Sequence, residues 1–174
     1  MKNVCLIIIY ITAIVLFCVA SCDDDMFQGC NNMPEQIIGT GDIIHNARVW
    51  YSSFDITTIN LIESNSREGL VITSDSENVF DLTVSFDNGA TYRPIDFSQY
   101  SVLGKYAAEG CRVVCDRNVN KKIEQQKYIY KVIVFHCGTC KKGVIDMNWV
   151  LIPKIEDDYS VEFVVNYKRW RNGI

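Results

Sequence analysis

Residues 160–167 read SVEFVVNY, and their pattern decides the fold. Val161, Phe163, Val165 and Tyr167 share one face, with Ser160, Glu162 and Asn166 opposite. A period of two with one apolar and one wet side describes a half-buried antiparallel strand. Upstream, 100–106 (YSVLGKY), 111–117, 128–136 (YIYKVIVFH) and 144–152 (VIDMNWVLI) have the same β-forming composition. Turn chemistry separates them: Glu109-Gly110, the polar stretch 118–127, the segment 137–143, and 153–158 beginning at Pro153.

Further toward the N-terminus, 43–51 (IIHNARVWY) and 54–63 (FDITTINLIE) also read as strands, and 70–73 as a short apolar one. Ser74-Asp75-Ser76-Glu77 then places a serine three residues before a glutamate, the spacing of a helix capping box. Val79, Phe80 and Leu82 would give that helix its apolar stripe, and Asn88-Gly89 would stop it. No internal repeat is present. The expected architecture is one α+β, mainly β domain: an antiparallel β meander carrying one short helix.

The first residues concern address rather than fold. Lys2 precedes an apolar run over 4–19, closed by Ala20 and Ser21 before Cys22. A basic start, an apolar middle and small residues at the end make a secretory signal. The run is shorter than the roughly 20 residues a helix needs to cross the hydrocarbon core. The segment Val19-Ala20-Ser21-Cys22 resembles the lipobox of bacterial lipoproteins. That resemblance implies cleavage before Cys22, a diacylglycerol on its sulfur and an amide-linked chain such as palmitate. The chain then divides into a signal peptide (1–21), an acylated cysteine with a flexible tether (22–41) and a single β-rich domain (42–174). Asp23-Asp24-Asp25 resembles the surface-export signal of lipoproteins from Gram-negative gut anaerobes. In other Gram-negative bacteria an aspartate after the cysteine resembles an inner-membrane retention signal. The expected place is the cell envelope, lipid-anchored, at the outer membrane or cell surface.

A formal net charge of −4 argues against nucleic acid, which needs a basic stripe to displace counterions. Only the tail Tyr167-Lys168-Arg169-Trp170-Arg171 alternates basic and aromatic residues, and it reads as the solvated end of the last strand.

Of eight cysteines, Cys5 and Cys18 leave with the signal and Cys22 takes the lipid. Cys30, Cys111, Cys115, Cys137 and Cys140 remain, and outside the cytoplasm disulfides are their default. If 111–117 and 128–136 form a hairpin, Cys111 comes opposite the end carrying Cys137, and a bond between them would pin it. Cys115 would pair with Cys140 or Cys30. A second reading gathers Cys111, Cys115, Cys137 and Cys140 into a tetrahedral zinc site, with His136 in support. A third makes Cys137-Gly138-Thr139-Cys140 a redox dithiol, although no helix N-terminus is expected there to lower the thiol pKa.

The string Ile95-Asp96-Phe97-Ser98-Gln99-Tyr100-Ser101-Val102-Leu103-Gly104, a strand-rich cysteine segment and then Asn148-Trp149-Val150-Leu151-Ile152-Pro153-Lys154 resemble small uncharacterised lipoproteins of gut anaerobes. They are also distantly similar to the PrcB-type domain found beside some bacterial proteases, where an IDFS start leads into a β meander. The likeness covers roughly 70–167. It implies a fold and a compartment and carries no catalytic residue across.

Other chemistry is thin. His45 and His136 are the only histidines. Glu156-Asp157-Asp158 reads as a solvated turn, and Gly39-Thr40-Gly41 lacks the Gly-Lys-Ser/Thr of a phosphate loop. Trp50, Tyr51, Tyr128, Tyr130 and Trp149 would serve either as a sugar platform or as core. The leading expectation is a non-enzymatic envelope lipoprotein without cofactor. Its partners would be the membrane through its lipid, and a protein or glycan. The alternative is a thiol-redox or zinc-binding envelope protein.

Overall fold

The computed structural model describes residues 30, 32–34, 37–51, 69–108, 112–138 and 145–170. The signal segment, Cys22, the 54–63 strand, Cys111 and Cys140 lie outside these residues. Among the described residues ten strands follow in chain order: β1 (Thr40–Gly41), β2 (Arg48–Tyr51), β3 (Leu70–Ile72), β4 (Leu82–Ser85), β5 (Arg93–Pro94), β6 (Tyr100–Ala108), β7 (Arg112–Lys122), β8 (Lys127–Cys137), β9 (Ile145–Pro153) and β10 (Ser160–Arg169). They make three sheets, in the orders β1-β7-β8-β10, β2-β4-β5 and β3-β6-β9.

The β3-β6-β9 sheet is the middle layer, with the centres of β6 and β9 buried on both faces. Val102, Trp149 and Leu151 pack with Leu82 and Val84 of the small sheet. Their neighbours Leu103, Val150 and Ile152 point the other way, into a second core with Val119, Tyr130, Val132 and Val134. This is why 148–152 is nearly all apolar: over those residues neither face of β9 meets water. Gly104 stands opposite Trp149 across the β6–β9 ladder, and the indole lies on its backbone where any Cβ would clash.

The fold is mainly β and largely antiparallel, and it departs from a simple meander. β10 pairs with β8 in parallel, from Ser160 beside Lys127 to Arg169 beside His136. β9 intervenes in sequence but belongs to another sheet, so the chain crosses over and re-enters beside β8 in the same direction. Alternation has the same period in parallel and antiparallel strands, so the pattern of 160–167 carried no direction. β1 likewise runs parallel to β7.

The expected helix is a single 3-10 turn, Asp75–Glu77. The Glu77 carboxylate reaches back one residue further than a capping box requires. It accepts from the Thr73 N–H at 2.6 Å and the Thr73 hydroxyl at 2.9 Å, while the Ser74 side chain makes no cap. Leu82 and Val84, each 1% exposed, continue as strand instead, because burying alternate residues against the middle sheet outweighs a local helical start. The polar stretch 118–127 is mostly strand too: β7 runs to Lys122, leaving only Ile123–Gln125 and a left-handed Gln126 to turn. Val119 there is fully buried.

Part of the stretch expected as a tether falls among the described residues. Cys30 and Met33 are buried, packed with Val114 and Cys137, and Thr40–Gly41 is a strand on β7. The part of 22–41 from Cys30 onward that is described therefore belongs to the domain.

Candidate functional site

Residues 37–47 travel from the four-stranded sheet to the small sheet, and that crossing creates a cleft. The Asp42 N–H donates to the Val119 carbonyl at 2.8 Å, and its carboxylate accepts the Lys121 N–H at 2.7 Å. The Ile44 N–H then reaches the Leu151 carbonyl on the edge of β9 at 2.9 Å. The chain turns at 44–47, so His45 lies in a turn and the strand expected over 43–51 narrows to Arg48–Tyr51. Between this segment, the 88–92 turn and the Arg117, Trp149 and Val150 wall lies an open cleft of about 480 Å³. Small-molecule sites range roughly from 300 to 1,000 Å³.

The lining has a definite polarity. Arg48, Arg117 and His45 line it, and no aspartate or glutamate does so among the described residues. Arg117 Nη1 sits 3.5 Å from the Trp149 carbonyl, a weak bond, while Arg117 Nε and Trp149 Nε1 are buried with no hydrogen-bond partner. Trp50 and Tyr92 also line it, at 56% and 39% exposure. Their ring centroids are 6.3 Å apart with planes inclined at 50°. Tyr51 stacks on Trp50, at 5.6 Å and 8°.

The turn that carries Asn88 and Tyr92 is held by a compact polar knot. The Ser85 hydroxyl donates to Asp87 Oδ1 at 2.5 Å and accepts the Gly89 N–H at 2.9 Å. Asp87 also accepts the Thr91 N–H at 2.9 Å. These donors, the Ser85 hydroxyl foremost, hold the Asp87 carboxyl down at about 2. Asn88 and Gly89 take left-handed conformations, with φ of 59° and 92°.

The cysteines are arranged otherwise than expected. Cys137 is joined to Cys30. Opposite Cys137 in the β7–β8 ladder stands Arg112, whose guanidinium instead holds the Met33 carbonyl at 3.1 Å. Cys115 remains a half-buried thiol facing the second core. With its sulfur in a disulfide, Cys137 offers no thiolate to a zinc ion or to a dithiol with Cys140. Among the described residues, no three His, Cys, Asp or Glu side chains converge as a metal cluster.

The five aromatics do not form one platform. Tyr128, Tyr130 and Trp149 are buried, and Trp50 alone of the five presents a broad exposed face. The acidic turn is tied down: Glu156 pairs with Lys121 at 2.5 Å, and Asp158 accepts from Gln126 at 2.5 Å. Lys121 in turn lies 4.4 Å from the Tyr159 ring centroid, and its pKa is raised chiefly by Glu156. Of the basic tail, Trp170 packs edge-on against Phe135, and Lys168 lies over the same ring. Gly39 and His45 line the cleft, although neither was a strong candidate. Arg48, Arg117 and Tyr92 were missed. No clear signal marked Arg117, which stands in β7 between Asp116 and Asn118 as one polar residue among several.

Compared with known proteins, the chain matches no family model, no curated protein and no solved structure.

Proposed function

We propose that this chain is a cell-envelope lipoprotein, anchored through Cys22, whose β-rich domain binds a ligand and does no chemistry on it. The anchor rests on Val19-Ala20-Ser21-Cys22 and the apolar run before it. The binding role rests on one observation: a cleft with cationic walls and exposed aromatic rings, lined without a carboxylate among the described residues. Concave sites with a few convergent polar groups are where proteins bind small molecules.

Two measurements test this. The mature protein purified from its own membrane is expected to carry acyl mass on Cys22, and an unmodified mass would end the anchor reading. The same protein, screened against immobilised glycans and peptides, is expected to retain a subset. Retention unchanged in both Arg48→Met and Trp50→Ala would remove the cleft from the function.

A further inference from the structure

We infer that the cleft takes an acidic sugar: one carboxylate-bearing pyranose unit, free or at the end of a glycan. This rests on the binding reading above and names its ligand class.

Charge comes first. A chain of net charge −4 has gathered Arg48 and Arg117 around one opening with no carboxylate lining it among the described residues. Cations left without a counter-charge in a cleft attract an anion into it, the more so between low-dielectric walls. Arg117 is the stronger of the two arginines for this purpose. It is half-buried, its Nη1 lies 3.5 Å from the Trp149 carbonyl, and its Nε has no hydrogen-bond partner among the described residues. A guanidinium fork of this kind matches the two oxygens of a carboxylate.

Ring geometry sets the rest of the ligand. The exposed Trp50 and Tyr92 rings are inclined at 50° with centroids 6.3 Å apart. Two faces at that angle cannot sandwich a flat base, which needs parallel planes on either side. A puckered ring with C–H groups on two faces can rest across both. Tyr51, stacked on Trp50 at 8°, restrains the indole, so less ordering is left for a ligand to impose. Arg48 is exposed beside these rings, placed to meet the sugar's hydroxyls or its carboxylate.

The test uses the detergent-solubilised lipoprotein and isothermal titration with glucuronate, glucose, acetate and adenosine monophosphate. Glucuronate is expected to bind, glucose and acetate each about tenfold more weakly or worse, the loss that one charged hydrogen bond or one stacked face represents. Raising ionic strength should weaken glucuronate and leave glucose unchanged. Arg48→Met and Trp50→Ala, both at exposed positions, should each weaken glucuronate by about tenfold while the thermal unfolding temperature stays put. Acetate binding as tightly as glucuronate, glucose binding equally well, or the nucleotide binding more tightly would each overturn the inference. So would glucuronate binding that survives both substitutions. If none of the four binds while the glycan and peptide screen still gives retention sensitive to Arg48→Met, the acidic-sugar inference fails and the binding reading stands. If the screen is also empty, both fail.

Discussion

On one face of the middle sheet lie the eleven-residue strands β7 and β8 and the ten-residue β10. On the other lie β2 and β4, of four residues each, and the two-residue β5. The long strands run in continuous register and pack Val119, Tyr130, Val132 and Val134 at zero exposure. Tyr130 even has its hydroxyl placed, donating to the Asn148 carbonyl at 2.9 Å, with its ring edge-on to Phe163. The short strands cannot cover the same area, so the edge of β9 is met by the crossing segment 37–47 and the cleft remains between them. One middle sheet thus has a closed side that holds the fold and an open side that offers a surface.

The comparison breaks most visibly at the staple on the closed side. Replacing Cys30 and Cys137 together by alanine removes a link spanning 107 residues, with an expected loss of about 4–5 kcal/mol. Denaturant melts should show it as a lower midpoint, and an unchanged midpoint would mean the bond does not form. Matched deletions then sharpen the contrast. Leu103→Ala, into the closed core, should cost about 4 kcal/mol, and Leu82→Ala, into the core beside the cleft, nearer 3 kcal/mol, because a site with open space nearby collapses more readily. Equal costs would mean that the two cores are equally rigid. Gly104→Ala should cost about 1–3 kcal/mol by lifting Trp149 off the β6 backbone. Trp149 also lines the cleft, so a shift of its backbone should weaken ligand binding as well.

The smallest expected effect is a pH dependence on the open side. The Ser85 hydroxyl and the Thr91 N–H hold the Asp87 carboxyl at about 2 in the folded protein, below the ordinary 3.8. A depressed folded pKa contributes stability that is complete above pH 4 and is lost as pH falls through about 2. Asp87→Asn should therefore flatten the pH 4 to pH 2 limb of the stability profile and leave neutral pH behaviour to the loss of the knot alone. A limb of undiminished slope would place the acid sensitivity elsewhere.

Strand positions were legible because period-two burial is written directly into residues such as Val161, Phe163 and Val165. Strand direction was not, because β10 alternates identically beside either orientation of β8. The helix misled for a related reason: Ser74 and Glu77 carry a local signal, while the burial of Leu82 and Val84 is a tertiary fact. The disulfide partner of Cys137 was hidden because Cys30 is far away in sequence and sits in a stretch whose polarity reads as linker. The cleft was half legible. Trp50 and Trp149 stood out as aromatics, but only the crossing segment brings Arg48, Arg117 and Tyr92 to the same opening, and no spacing in the chain encodes that.

The Cys30–Cys137 bond also decides how the domain bears load. With the anchor proposed at Cys22, any tug from a membrane travels along the tether and enters the sheet at the end of β8. β8 is flanked by β7 and β10, with ladders eleven and ten pairs long, so the pull is shared among many hydrogen bonds at once. Once the bond is reduced, the same pull falls on the two-residue β1, which can be peeled away a pair at a time. Single-molecule extension from the N-terminus should accordingly show one high-force event in the oxidised protein and an earlier, gentler release under reductant.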